Sequence, residues 1–187
     1  MKKGTLKYKL KLLRAIGEAI LLLPIFIVLE LIIKKAVGTK RKNLLLLKLL
    51  RAYHTPAVKN IPVKLVPMGS RKNGKYKFVT NGVYRERKGK KWVELREDAD
   101  VVSFCRAYFH EMRHVEQYAD SVRRRKIKEA ENSMKMFNHF LKISPTFEDY
   151  YNAWWEVDAR RVEKVDSRKF ARYCLYHPLW VVKTLLS

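Results

Sequence analysis

The residues best placed to do chemistry are His110, Glu111 and His114, in the string Phe109-His110-Glu111-Met112-Arg113-His114-Val115. On a helix, side chains four apart lie one turn above each other on the same face, so both imidazoles can reach one metal ion. The glutamate directly after the first histidine sits beside such an ion without binding it. It can take a proton from a metal-bound water as that water attacks a carbonyl, and pass it to the leaving amine. H-E-x-x-H is therefore a mechanism as well as a pattern, and Zn2+ is the ion it suits. A charged surface helix with idle histidines does not account for three such residues in register between the apolar Phe109 and Val115.

A hydrolytic zinc site needs a third protein ligand and an open position for water. Asp120, His139, His177 and Glu156 are the candidates. Asp120 stands where longer motifs of this kind carry a third ligand, but those motifs turn out of the helix at a glycine. Gln117 occupies that position here, so the helix should continue and Asp120 should point elsewhere. His139 and His177 are isolated and read as surface or packing residues. Glu156 fits best: it lies on a downstream helical stretch, in Trp154-Trp155-Glu156-Val157-Asp158-Ala159-Arg160. Tyr150 and Tyr151, just upstream, are candidates by type for stabilising an oxyanion, because a phenol can donate to one. Gln117, three residues after His114, is placed to hydrogen-bond nearby backbone or to orient the helix, and Arg113 should point away from the metal face.

The pair H-E-x-x-H and, on a later helix, E-x-D-A resembles the glutamate zincins (gluzincins). It is most similar to the minimal versions found in single-domain peptidases and in proteins of phages and mobile elements. The matching strings are FHEMRHVEQYAD and YYNAWWEVDAR, and the resemblance covers roughly residues 75–165. It implies a zinc metallopeptidase acting on protein or peptide substrates. His110, His114 and Glu156 would be its ligands and Glu111 its general base. Asp158 would be a carboxylate that holds a ligand histidine in its tautomer and orientation. Ala159 would let the two helices approach closely.

The elements that must position these residues are legible from periodicity. Over 61–97, short segments rich in Val, Tyr, Phe and Trp alternate with turn residues. Asn81-Gly82 carries the strongest hairpin signal and Gly89 marks a second turn. These predict a three- or four-stranded antiparallel meander. Asp100 reads as the N-cap of a helix over about 101–120, with Val102, Cys105 or Arg106, and Phe109 on one stripe. A basic helix follows around 124–141. Another opens at Ser144-Pro145-Thr146 and continues towards Val165. The expected architecture is α+β: a small antiparallel β-meander packed on a helical zincin core, with an apolar helix at the N-terminal end.

Charge is the unusual bulk property. The 187 residues hold 41 Lys+Arg against 18 Asp+Glu, a net charge of +23. Such a field attracts polyanions whatever their sequence: nucleic acid, a virion, an anionic membrane surface, acidic proteins. Residues 15–33 are apolar and bracketed by basic residues, long enough for a helix that just crosses a bilayer core. Glu18, Pro24 and Glu30 argue against a simple span. Three readings stand open there: a membrane anchor, a helix buried on the fold or on a partner, and an uncleaved signal. Residues 43–53, Leu-rich with Lys48 and Arg51, read as an amphipathic helix lying on the membrane or on the fold. The division expected is a basic N-terminal segment over 1–53 and a zincin-like metallopeptidase domain over 54–187. Cys105 and Cys174 form no C-x-x-C pair, which favours a reducing compartment. Two functions compete: a zinc metallopeptidase, and a basic nucleic-acid-, virion- or membrane-associated binding protein whose metal site is structural or vestigial.

Overall fold

The computed structural model describes residues 38–54, 60–68, 70–73, 76–79, 81–140 and 147–187. The N-terminal apolar segment lies outside the described residues. Among those described, no helix is long and apolar enough to cross a membrane. The architecture is α+β and mostly helical. It consists of α1 (Thr39–Tyr53), β1 (Val63–Val66), β2 (Ser70–Asn73), β3 (Tyr76–Val79), β4 (Gly82–Arg87), β5 (Lys90–Arg96), α2 (Val101–Ala119), α3 (Ser121–Phe140), α4 (Phe147–Asn152), α5 (Trp154–Tyr176) and α6 (Pro178–Leu186).

α2 is the central element, packed against α1, α3, α5, β4 and β5. Its start is set by Asp100, whose carboxylate accepts from the Ser103 amide at 2.9 Å. Phe104, Cys105, Tyr108, Phe109, Met112 and Val115 are all buried in one core with Leu47, Leu49 and Leu50 of α1, Val93 and Leu95 of β5 and Phe170 of α5. Val102 and Arg106 of the expected stripe instead face outward. The buried stripe runs through Val101, Phe104 and Tyr108, because the helix is covered on several sides and leaves only a narrow strip to solvent.

The sheet departs from the expected meander. β5 is central, with β4 antiparallel on one side and β1 parallel on the other, Val63 opposite Val93 and Leu65 opposite Leu95. β2 and β3 form a separate antiparallel pair. The hairpin turn joining β4 to β5 falls at Lys88-Gly89, both with positive φ (50° and 74°), the backbone that a two-residue hairpin loop requires. Asn81-Gly82 is not a hairpin turn: β3 pairs with β2, and Gly82 opens β4 for a reason of close packing given below.

The expected helix over the Trp154 region is divided. α4 ends at Asn152, Ala153 takes an extended ψ of 137°, and α5 starts afresh at Trp154. Of the two readings of residues 43–53, the fold is the one observed. Leu47, Leu49 and Leu50 of α1 join the common core, while Lys48 Nζ donates to the Leu185 carbonyl at 3.3 Å. This helix therefore shares its core with the 54–187 region. Asn43, fully buried, donates from Nδ2 to the carbonyls of Glu97 (2.8 Å) and Ala99 (3.1 Å), clamping the turn between β5 and α2. Replacing it by alanine leaves two carbonyls without that donor. Asn43→Ala should lower unfolding free energy by about 1–3 kcal/mol. Leu44→Ala, at a half-exposed position of the same helix, should change it by no more than about 0.5 kcal/mol, both read from urea denaturation.

Candidate metal centre

α2 and α5 bring His110, His114 and Glu156 together. His110 Nε2 lies 3.2 Å from His114 Nε2, Glu156 Oε2 is 3.3 Å from His110 Nε2, and Glu156 Oε1 is 3.2 Å from His114 Nε2. Among the described residues this is the one cluster of His, Cys, Asp or Glu with metal-sharing spacing. Ligands about 2.0–2.1 Å from a tetrahedral zinc stand about 3.3–3.4 Å apart, so these separations fit the edges of a zinc site. Ala159, three residues after Glu156 on the same face of α5, is fully buried.

The proton positions sharpen the fit. His110 Nδ1 lies 3.0 Å from Glu163 Oε2, and a carboxylate can only accept, so Nδ1 is the protonated nitrogen. His114 Nδ1 lies 2.9 Å from Gln117 Oε1. The Gln117 amide cannot be turned round, because its Nε2 donates to the Trp155 carbonyl (3.0 Å) and to Asp158 Oδ2 (3.1 Å). His114 therefore also carries its proton on Nδ1. Both Nε2 lone pairs then face one another and the Glu156 carboxylate, whose Oε1 is buried without a well-directed hydrogen-bond donor. Three acceptors converging in a buried site call for a cation between them. For the protein groups alone, a proton takes that place. Burial works against charging His110, but hydrogen bonds to Glu156 and Glu163 outweigh it and push its pKa up to about 10. Burial likewise opposes ionisation of Glu156, yet the two histidines and the Tyr150 hydroxyl hold it well below the usual carboxylate range.

Each histidine anchor is itself held by an arginine of α2, Glu163 directly and Gln117 through Asp158. Arg106 donates to Glu163 Oε1 from Nε (3.1 Å) and Nη2 (2.6 Å). Arg113 donates to Asp158 Oδ2 at 2.8 Å and to Glu116 at 2.7 Å, pointing away from the donor set as expected. Asp158 does not hold a histidine directly: its bonds go to Arg113, Gln117 and Arg161. The carboxylate on a histidine is Glu163, seven residues after Glu156 and on the same helical face. That spacing was the available signal.

Glu111 is buried beside the histidines. Its Oε2 accepts from the Tyr84 amide of β4 at 2.6 Å. Burial raises its pKa above the ordinary range, against the pull of His114, His110 and that amide. Gly82 explains how the strand comes so near: a Cβ there would lie 2.8 Å from Glu111 Cγ and 3.0 Å from its Oε1. A cavity of about 340 Å³ opens next to Glu111 and His110, bounded also by Gly82, Ser103, Arg106 and Glu163.

The two tyrosines part company. Tyr150, on α4 and half exposed, donates to Glu156; desolvation of its hydroxyl end and that carboxylate raise its pKa. Tyr151, about as exposed as Tyr150 (45% against 50%), instead lies under the Arg160 guanidinium, 3.6 Å from its ring centroid. Asp120 is not at the site. It caps α3, accepting from the amides of Val122 (2.9 Å) and Arg123 (3.1 Å). His177 ends α5 with its ring 4.3 Å from that of Tyr173, and the His139 side chain lies outside those described. Cys105 and Cys174 are both free thiols. Compared with protein-family models, with curated proteins and with solved structures, the chain finds no match.

Groups that orient metal-binding histidines typically set affinity within a factor of about 10–100. With Zn2+ as the ion proposed for this cluster, Glu163→Ala and Gln117→Leu should each weaken its binding by that factor in competition titrations against a chromophoric chelator. Lys164→Ala, an exposed neighbour of Glu163, should leave affinity unchanged.

Proposed function

We propose that this chain is a zinc-dependent hydrolase of peptide bonds, a minimal enzyme of the gluzincin kind in which α2 and α5 form the zincin core. The observation that carries this is the convergence of His110 Nε2, His114 Nε2 and the Glu156 carboxylate at 3.2–3.3 Å, with buried Glu111 alongside. Those three residues would hold the ion, leaving one position open to the cavity. Zinc held there would polarise a water and the scissile carbonyl.

The remaining steps belong to the chain's own groups. Glu111, made more basic by burial, takes a proton from the attacking water and delivers it to the leaving amine. The Tyr84 amide holds one carboxylate oxygen, so the other is free for that exchange. The hydroxyl of Tyr150, close enough to donate to Glu156, supplies a donor for charge developing on the substrate oxygen. Tyr151, stacked on Arg160, takes no part. The outer edge of β4, which pairs with no strand among those described, supports an extended substrate laid beside it.

The net charge of +23 favours a second reading, a basic binding protein with a structural metal site. Glu111 separates the two. The purified protein should contain one zinc per chain, lost in His110→Ala. Glu111→Gln should keep the zinc and lower hydrolysis of an unfolded casein substrate by about 10²–10⁴-fold. A variant that keeps full hydrolysis would leave the metal only a structural part. Gly82→Ala should also keep its zinc while losing about tenfold or more in rate, since displacing a reacting group by about 1 Å costs up to ~10²-fold.

A further inference from the structure

The wall of the cavity carries polar groups that water activation does not use. Arg106, Ser103 and Asn81 all line it. Arg106 has its Nε and Nη2 on Glu163 Oε1, and the other oxygen of Glu163 faces His110 Nδ1. Of the two acids on this wall, Glu163 is thus engaged through both oxygens and Glu111 is the proposed base, whereas Nη1 of Arg106 makes no bond among the described residues. The Arg106 side chain is 45% exposed. Neither the Ser103 hydroxyl nor the Asn81 side-chain amide has a hydrogen-bond partner among the described residues. Apart from the reacting groups, what the cavity offers a ligand is one cation, the Arg106 guanidinium, beside a hydroxyl and an amide that can each donate or accept.

The cavity also lies at one end of β4, at Gly82, and the other end of that strand is strongly basic. Arg85, Arg87, Lys88 and Lys90 are exposed around the hairpin tip. The Glu86 carboxylate there is taken by Arg124, which joins the tip to α3, and Arg123, Arg125, Lys126 and Lys128 lie exposed on that helix. An extended chain laid along β4 would run from a pocket holding the Arg106 guanidinium to a cationic shelf.

We propose that the cleft takes polypeptide segments rich in Asp and Glu, with one carboxylate side chain seated in the cavity against Arg106, Ser103 and Asn81. This rests on the hydrolase reading above and names its substrate class. A charged acceptor meeting a guanidinium and a hydroxyl gains charge-assisted hydrogen bonds that an amide or an alkyl side chain cannot match. The long-range field of the protein adds to it and is screened by salt.

The test uses the full-length zinc-loaded protein and quenched-fluorescence peptides on an Ala/Ser scaffold. A single Glu, Gln, Leu or Lys is placed at each position in turn, and mass spectrometry locates the cut. At one position next to the cut, Glu should raise kcat/KM at least about tenfold over Gln and Leu, the worth of one hydrogen bond to a charged group. Lys there should be the poorest. Ser103→Ala should shrink the Glu:Gln ratio. Arg106→Gln should abolish the ratio, and because Arg106 also braces Glu163, its zinc content is measured alongside. Peptides cut equally well with Glu, Gln and Leu, or best with Leu, would overturn the inference and leave the hydrolase reading standing. If wild type cuts none of the peptides nor casein, both fall together.

Discussion

Two imidazole nitrogens 3.2 Å apart, both facing a carboxylate, form an arrangement that, with no cation between them, a folded protein holds only against resistance. Each lone pair repels the others, and burial removes the water that would soften the repulsion. Most of what surrounds the donor set can be understood as resistance to that repulsion. Glu163 fixes one ring, Gln117 fixes the other, and each is fixed in turn by an arginine from the same helix, directly or through Asp158. The rings are then left with one orientation each, and the geometry is prepared in advance for a cation.

The rest of the fold serves the same constraint at longer range. α2 must be held firmly for its two histidines to stay opposite Glu156 of α5, and it lies against three helices and two strands. Ala159 leaves α5 without bulk at the face that carries Glu156. The break at Ala153 matters because it separates the direction of α4 from that of α5, so that Tyr150 comes back onto Glu156 while Tyr151 packs on Arg160. On the opposite side, β4 touches Glu111 through backbone only, an amide and a missing side chain.

Much of the site was legible because helical periodicity is a local property. His110, Glu111 and His114 declare themselves by spacing, and Asp100 by its place before an apolar run. Glu156 needed a second string far along the chain, and its company of Trp155, Asp158 and Ala159 marked it. Glu163 was harder, since a glutamate in a charged helix has no signature until its face is known; only then does its distance of two turns from Glu156 count. Asp158 was assigned to a histidine directly, whereas the structure interposes Gln117, a relay that spacing along one helix cannot reveal. Asn81-Gly82 misleads for an instructive reason. The glycine is needed for a close approach between strand and helix, and the sequence signal for that is identical to the signal for a turn. The parallel pairing of β1 with β5 depends on the intervening β2–β3 pair standing aside, which is a tertiary fact.

The donor set draws on two helices far apart in the chain, and any ion shared between them is also a clasp. Binding confined to the folded form adds RT ln(1 + [M]/Kd) to stability, about 2.7 kcal/mol when free metal is a hundred times Kd. The packing of α5 on α2 then becomes a function of how much metal the surroundings supply. A chain made where metal is scarce would hold α5 less firmly, exposing Ala159, Phe170 and the apolar face behind them. On the proposed hydrolase reading, catalytic competence and resistance to degradation would rise and fall together, with the same three side chains reporting the metal status of the compartment to both.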